Sequence, residues 1–200
     1  GDAGHDAAAL LDRGQFGVPE LFGDRIVEAP IIGNPGCFAV GIILGLAPLF
    51  AAGLVEGGTV TVDGLTGSSG AGKKPSPLQH FSHLNDNVVP YRVFTHQHVV
   101  EAEETLAALS GGEANVHFVP HLLGTTRGIL STMHAALTGP ATRDGLLDRY
   151  RQFFDGHPFV RVLDVPPTLK GTLGSNYCDI SLEVSPDGSR MVAMASIDNL

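Results

Sequence analysis

Positive charge is scarce in this sequence. Twelve Lys and Arg stand against 21 Asp and Glu, for a formal net charge of −9, and no basic cluster interrupts that balance. A nucleic-acid binder needs such a cluster, so nucleic acid is excluded as a partner. Cysteine is nearly absent as well. Cys37 and Cys178 are far apart in sequence, which leaves no disulfide framework and suits a reducing, cytoplasmic compartment. The opening stretch GDAGHDAAALLDRG lacks the basic start and apolar core of a signal peptide. Tryptophan is missing, but 43% of the residues are apolar and 16% charged, which excludes a disordered chain. The 200 residues suffice for one large domain or two small ones, with a core that needs no staples.

Long apolar runs are also rare. The one example, Cys37–Val55, carries no charge and no amide side chain. It is long enough to span a bilayer. Gly41, Gly45, Gly53 and Pro48 weaken it as a membrane helix, and no Lys or Arg cluster flanks it to set an orientation. It reads instead as a core helix covered on every side. No internal repeat and no G-x-G-x-x-G unit is present.

The remaining pattern is that of an α+β domain. Short helices are expected over Asp6–Leu11 and Glu20–Val27, separated by Gly14 and Gly17 as turn residues. APIIGN is a short strand ending at the Pro35-Gly36 turn, and helix Cys37–Ala52 follows. Thr59–Leu65 alternates as a strand does. Residues 66–90, rich in Gly, Ser, Pro and Asn, read as loop. Strands are expected at Tyr91–Thr95, Ala114–Leu122, Arg127–Leu137, Phe159–Val165, Tyr177–Val184 and Ser189–Ile197. SPDG forms a hairpin turn between the last two. Helices are expected over Val99–Leu109 and Thr142–Phe154. Without a strict βαβ rhythm, these segments predict a mixed, largely antiparallel sheet with helices packed on one face.

Four segments carry chemistry. Cys37 follows a strand and the Pro35-Gly36 turn and opens a helix, where free N–H groups and the dipole lower a thiol pKa and favour a nucleophile; the alternative is a buried corner cysteine. Cys178 alternates with Ile180, Leu182 and Val184 and reads as core. GSSGAGKK nearly matches a P-loop, but Lys74 stands where Ser or Thr is needed, and Pro75 and Pro77 block the following helix. Such a loop can still hold an oxyanion or sit against a cofactor. FTHQHVVEAE places His96 and His98 at a strand–helix junction, as an acid/base pair, metal ligands or surface residues. His80 with His83 and His117 with His121 add spaced pairs, so a zinc hydrolase is weighed, but H-E-x-x-H and C-x-x-C are both missing and no metal site is assigned. Arg127 precedes an apolar strand and can hold a carboxylate or phosphate bidentately, or be an exposed strand-end charge.

In order along the chain, FGVPELF, IIGNPGCFAVGIILGLAP, GSSGAG, THQHVVEAE, HFVPHLLGTTRGIL, GSNYCDI and IDNL resemble the N-acetyl-gamma-glutamyl-phosphate reductases, relatives of aspartate-semialdehyde dehydrogenase. The resemblance covers residue 14 to the end. Val40 and Gln97 depart from the usual pattern, and Gln97 leaves the acyl group of the substrate open. The resemblance implies a glyceraldehyde-3-phosphate-dehydrogenase-like C-terminal domain that catalyses and dimerises over residues 1–200. It also implies an NADP-binding Rossmann domain and a C-terminal helix lying outside this chain, which begins without Met and stops just after a strand-like run. It implies a small acyl phosphate as substrate, NADPH as cofactor, and a homodimer or homotetramer with no membrane partner. Cys37 would form a thioester, with His96 as acid/base and His98 in support. Asn34, Ser68, Ser69 and Arg127 would contact the substrate, and Gly70 and Asn199 the nicotinamide. Reductases of another acyl-glutamyl or aminoadipyl phosphate, and a non-catalytic or metal-binding domain of the same fold, are the alternatives.

Overall fold

The computed structural model describes residues 13–200, in two units that divide at Gly36. The helix expected over Asp6–Leu11 lies outside the described residues. In the first unit, β1 (Gly14–Phe16) pairs in parallel with β2 (Ile31–Gly33), and α1 (Pro19–Glu28) connects them. Pro19 opens α1, where its missing N–H costs nothing. Gly14, expected in a turn, begins β1 instead.

The second unit opens with α2 (Cys37–Ala51) and β3 (Val55–Thr66). Two 3₁₀ turns, Ser68–Ala71 and Pro77–Gln79, lead to α3 (Phe81–Leu84) and β4 (Val88–Pro90). Then come α4 (His98–Ser110), β5 (Asn115–Leu123), β6 (Ile129–Leu137) and α5 (Arg143–Phe153). The chain continues through β7 (Val160–Val162), α6 (Leu169–Thr172), β8 (Cys178–Val184) and β9 (Arg190–Ile197). The sheet order is β4-β5-β3-β6-β9-β8-β7. Only β3–β5 and β7–β8 are parallel, so the sheet is mixed and largely antiparallel, as expected.

Strand alternation splits this sheet into two unlike faces. Val62, Ser131, Met133, Ala193, Ala195, Ile180 and Leu182 point to the buried side. There α2 crosses β3, β6, β8 and β9, with α4 along one flank and α5 along the other. This explains a helix apolar all round: Phe38, Ile42, Ile43, Leu46, Leu49 and Phe50 are each within 2% of full burial. Each such side chain contributes roughly 1.5–3 kcal/mol of transfer free energy. No helix among the described residues is long and apolar enough to cross a membrane. Pro48 cannot donate to the carbonyl one turn earlier. Nearby, the buried Tyr150 hydroxyl donates to the Gly45 carbonyl at 2.6 Å, pinning α5 to α2.

The other face carries Thr61, Asp63, His117, Thr132, His134, Val192 and Met194, half-exposed or exposed. The three long helices avoid it. The one-turn α6, not foreseen in the sequence, covers its β8–β9 end, where Thr172 and Ser196 share a 3.0 Å hydrogen bond.

Two expected strands come out shorter or not at all. Phe159–Val165 keeps only β7, because Pro166 and Pro167 follow and cannot continue a ladder. Tyr91–Thr95 is not a strand. After β4 the chain turns, with Arg92 at φ 45° and Phe94 at φ 58°, and Thr95 N–H closes onto the Arg92 carbonyl at 3.0 Å. Conversely, β3 starts earlier than expected. It bulges at Gly57-Gly58, where a Cβ on Gly58 would run into the Glu113 carbonyl.

Candidate active site

Cys37 is the first residue of α2, so its thiol meets the free N–H groups of a helix start. The N–H groups of Phe38 and of Cys37 itself lower its pKa, as the sequence suggested. Burial, however, acts more strongly, and the Glu101 carboxylate adds to it. The thiol is pushed up above its ordinary value of 9.0, so the resting sulfur is protonated at neutral pH. The local turn gave the right contribution but the wrong net sign.

His96 precedes α4 and is only 8% exposed. Its ring stands edge-on to Phe38 at 5.7 Å, Phe118 at 5.4 Å and Tyr91 at 5.8 Å, and the His98 ring lies 4.5 Å away. Burial first, then the positive charge of His98 and of Arg92, holds its pKa down to about 4, so it is neutral at pH 7. The His98 N–H donates to His96 Nδ1 at 3.3 Å, which favours the tautomer protonated on Nε2. His98 is also held low, chiefly by burial, against the raising effect of Glu101. Its Nδ1 is buried with no hydrogen-bond partner.

Cys37, His96 and His98 line one cavity of about 550 Å³. That is within the size range of small-molecule sites. The Gly/Ser loop contributes Gly67, Gly70 and Ala71 to the lining of the same cavity. Ser68 and Ser69 do not line it. Their N–H groups bond the Thr125 and Thr126 carbonyls at 2.9 and 3.0 Å, and the Ser68 hydroxyl bonds the Thr125 carbonyl at 3.3 Å. Asn199 is buried behind the loop. Its Nδ2 donates to the Ser69 hydroxyl at 3.1 Å and the Gly67 carbonyl at 3.3 Å, while its Oδ1 accepts from Gly128 N–H at 2.9 Å. The amide is thus committed to holding the loop against the turn before β6. Arg127 is not in the lining either. It pairs with Asp198 at 3.4 Å, and Asp198 also accepts from Gly174 N–H at 2.6 Å. Asn34 follows β2 in the first unit.

The cavity also holds residues that the sequence did not single out for it: Lys74, Gln79, Tyr91, Arg92 and Gln97. Lys74 had stood out only as the residue that spoils a P-loop. Tyr91 and Arg92 were hidden in the expected strand. Among the described residues, no group of three or more His, Cys, Asp or Glu side chains is arranged to hold a metal ion. Cys178 is buried, as its strand position implied.

The profile of the family described as semialdehyde dehydrogenase, dimerisation domain, matches residues 37–199. The chain belongs to the semialdehyde dehydrogenase family. Its match begins at the candidate nucleophile and covers the whole sheet. Two curated relatives in this family, both named N-acetyl-gamma-glutamyl-phosphate reductase, are similar to it. One, from Desulforamulus reducens, is 44% identical over 98% of this chain, and one from Symbiobacterium thermophilum is 43% identical over the same share. The chain spans 57% of the length of each. Two solved semialdehyde dehydrogenases share the fold. Aspartate semialdehyde dehydrogenase II from Vibrio cholerae gives a TM-score of 0.71 at 13% identity, over 94% of this chain and 64% of its own. Aspartate semialdehyde dehydrogenase from Francisella tularensis gives 0.70 at 15%, over 93% and 66%.

Proposed function

We propose that this chain forms the catalytic and dimerisation part of an NADPH-dependent N-acetyl-gamma-glutamyl-phosphate reductase of arginine biosynthesis, acting in the cytoplasm. The observation that carries the reading is a helix-start thiol and a neutral histidine facing one small-molecule cavity, in a chain 44% identical to a reductase of that name.

The chemistry follows from the two protonation states. A thiol held neutral needs a base, and a buried neutral imidazole is one. Cys37 Sγ adds to the acyl carbon, and its proton passes to His96. Collapse of the adduct forms the thioester and expels phosphate, which takes the proton from His96. Accepting that proton on Nδ1 means giving up the bond from His98 N–H, which at 3.3 Å is long and weak. The N–H groups at the start of α2 are placed to favour negative charge beside Cys37.

The nicotinamide cofactor, when bound, supplies the hydride that reduces the thioester. Gly67 and Gly70, which carry no side chains, would stand against the nicotinamide. A Cβ on Gly70 would come 3.1 Å from Asn199 Nδ2, so a side chain there would press on the amide that holds the loop. After hydride transfer the aldehyde leaves, and the Cys37 thiolate takes up a proton from solvent.

Gln97 stands where the resembled enzymes have arginine, and it lines the cavity. This supports a second reading of the acyl group, with a succinyl or other acyl-glutamyl phosphate in place of the acetyl one. A second copy of the chain is the proposed partner for the open sheet face of Thr61, His134 and Val192. This is in keeping with a family described by its dimerisation domain.

Mass spectrometry tests the reaction. The chain is mixed with N-acetyl- or N-succinyl-glutamyl phosphate and quenched in acid. An acyl adduct on Cys37, with matching phosphate release, is expected, and Cys37→Ser should lose both. Acylation of Cys178 alone, or none, refutes the proposal. The more rapidly transferred acyl group identifies the substrate.

A further inference from the structure

No Asp or Glu lines the Cys37 cavity, although the chain carries 21 of them against 12 Lys and Arg. Two cations line it, Lys74 and Arg92. Arg127, Arg143, Arg151 and Arg161, by contrast, pair with carboxylates. Among the described residues, neither Lys74 nor Arg92 has an ion-pair partner. The side-chain partner of Arg92 is neutral: Nη1 donates to Gln97 Oε1 at 3.4 Å. Glu101, whose charge reaches Cys37 and His98, is not in the lining.

The backbone points the same way. Arg92 sits at φ 45° with no glycine to ease it, and Phe94 follows at φ 58°. Such conformations cost roughly 1–3 kcal/mol each and persist where the surroundings over-determine them. Here Tyr91 N–H and Phe94 N–H both bond to β5 carbonyls, of Pro120 at 3.0 Å and Phe118 at 3.5 Å. The turn therefore holds Arg92 beside the cavity rather than letting the strand run on.

We propose that Arg92 and Lys74 are the anion-recognition pair of this cavity, and that they, rather than Arg127, hold the carboxylate and phosphate of the doubly anionic acyl phosphate. The inference rests on the acyl-phosphate reading above. A carboxylate is planar and matches the guanidinium fork of Arg92, and Lys74, beyond the Gly/Ser loop, offers a compact charge of the kind that suits phosphate.

Iodoacetate and iodoacetamide report on this pair without any reductase turnover. Both alkylate a thiol, and they differ by one negative charge. On the full chain, the rate ratio of iodoacetate to iodoacetamide at Cys37 should exceed that of a free thiol in the same buffer. Arg92→Gln and Lys74→Gln should each lower it about three- to tenfold at low salt. Arg92→Lys should restore the ratio. Arg149→Gln, exposed on α5, should leave it unchanged. In parallel, calorimetric titration with N-acetyl-L-glutamate should weaken about tenfold or more in both Arg92→Gln and Arg92→Lys. Titration with inorganic phosphate should weaken in Lys74→Gln. A ratio and affinities that survive in Arg92→Gln and Lys74→Gln, or fall in Arg127→Gln instead, overturn the assignment. If Cys37 reacts with neither reagent, the thioester reading fails, and the two titrations alone decide the cation pair.

Discussion

Gly64 lies on β3 beneath the aromatic cluster that backs the thiol, and an added methyl there tests how tightly that cluster is built. A Cβ on Gly64 would come 2.5 Å from Phe38 Cε1 and 2.7 Å from Phe118 Cε2. Carbon atoms rest at about 3.5–4.0 Å, so the overlap is about 1 Å with each of two rings. Neither ring has room to move away. Phe38 is 1% exposed and Phe118 0%, and they are packed edge-on to each other at 4.9 Å. Gly45 gives the control. Its Cβ would press even more closely on Met133, but on the flexible end of that side chain. Methionine can move by rotating three bonds, and alanine in mid-helix recovers about 1 kcal/mol over glycine. Gly64→Ala is therefore expected to cost about 2–3 kcal/mol, toward the upper end of overpacking effects. For a chain of this size that lowers the melting temperature by about 4–12 °C. Gly45→Ala should lose less than half as much. Because Phe38 is the neighbour of Cys37 and touches His96, Gly64→Ala should also slow alkylation of Cys37, while Gly45→Ala does not. Calorimetry and thiol labelling read the two effects. If Gly64→Ala melts at or above Gly45→Ala, the aromatic cluster is softer than argued here, and the close-packing account of the site fails.

Two further outcomes follow from the site itself. Deprotonation of Cys37 should control its alkylation: with its pKa pushed above 9.0, the thiolate is under about 1% at pH 7, so the rate should rise about tenfold per pH unit to beyond pH 9, and an inflection below pH 7 would instead reveal a resting thiolate. Asn199→Ala should cost about 1–3 kcal/mol, since it strips buried partners from Gly128 N–H and the Gly67 carbonyl, and should speed hydrogen exchange at Ser68 and Ser69 but not in β8; unchanged exchange would mean that the loop is held by its backbone bonds alone.

How much of this was legible in the sequence depended on whether the signal was local. The α2 helix could be read because a chain segment without a single charge has to be buried, and its start could be read because Pro35-Gly36 ends a strand. The positions of the two cysteines could be read for the same reason, one at a helix start and one in strand alternation. Tyr91–Thr95 could not be read. Its left-handed residues are Arg and Phe, types that give no turn signal, and the turn is imposed by β5 carbonyls far along the chain. The Gly/Ser loop looked like a cradle because Gly and Ser are what cradles use. In the fold the N–H groups of Gly67, Ser68 and Ser69 and the Ser hydroxyls bond the Thr125–Gly128 turn and Asn199, and the loop meets the cavity through Gly67, Gly70, Ala71 and Lys74 instead. The motif at the chain's end identified Asn199, but its role as a clamp emerges only when residues 67, 69, 128 and 199 meet. The Cys37 acidity failed as a local reading because burial, set by distant β-strands and α4, outweighed two nearby N–H groups.

The site divides its work between two kinds of element. The candidate nucleophile, Cys37, stands on α2, whose residues from Phe38 to Phe50 are nearly all buried, so its position is fixed by the sheet and by α4 and α5 together. His96, the proposed base, is gripped by three aromatic rings. Chemistry that needs a sulfur and an imidazole within fractions of an ångström of the reacting atoms calls for such a mounting. The cations are mounted differently. Lys74 lies past a 3₁₀ turn, and Arg92 on a strained turn held by two hydrogen bonds to β5; both side chains are exposed. A charged group on an open loop can close on an anion from a distance and tolerate different acyl groups, because charge acts over several ångströms and hydrogen-bond geometry does not. Changes of substrate within this fold should therefore arise at Lys74, Ser76, Gln79, Arg92 and Gln97, which line the cavity without being part of the buried core, whereas Cys37, His96 and Gly64 should tolerate almost none.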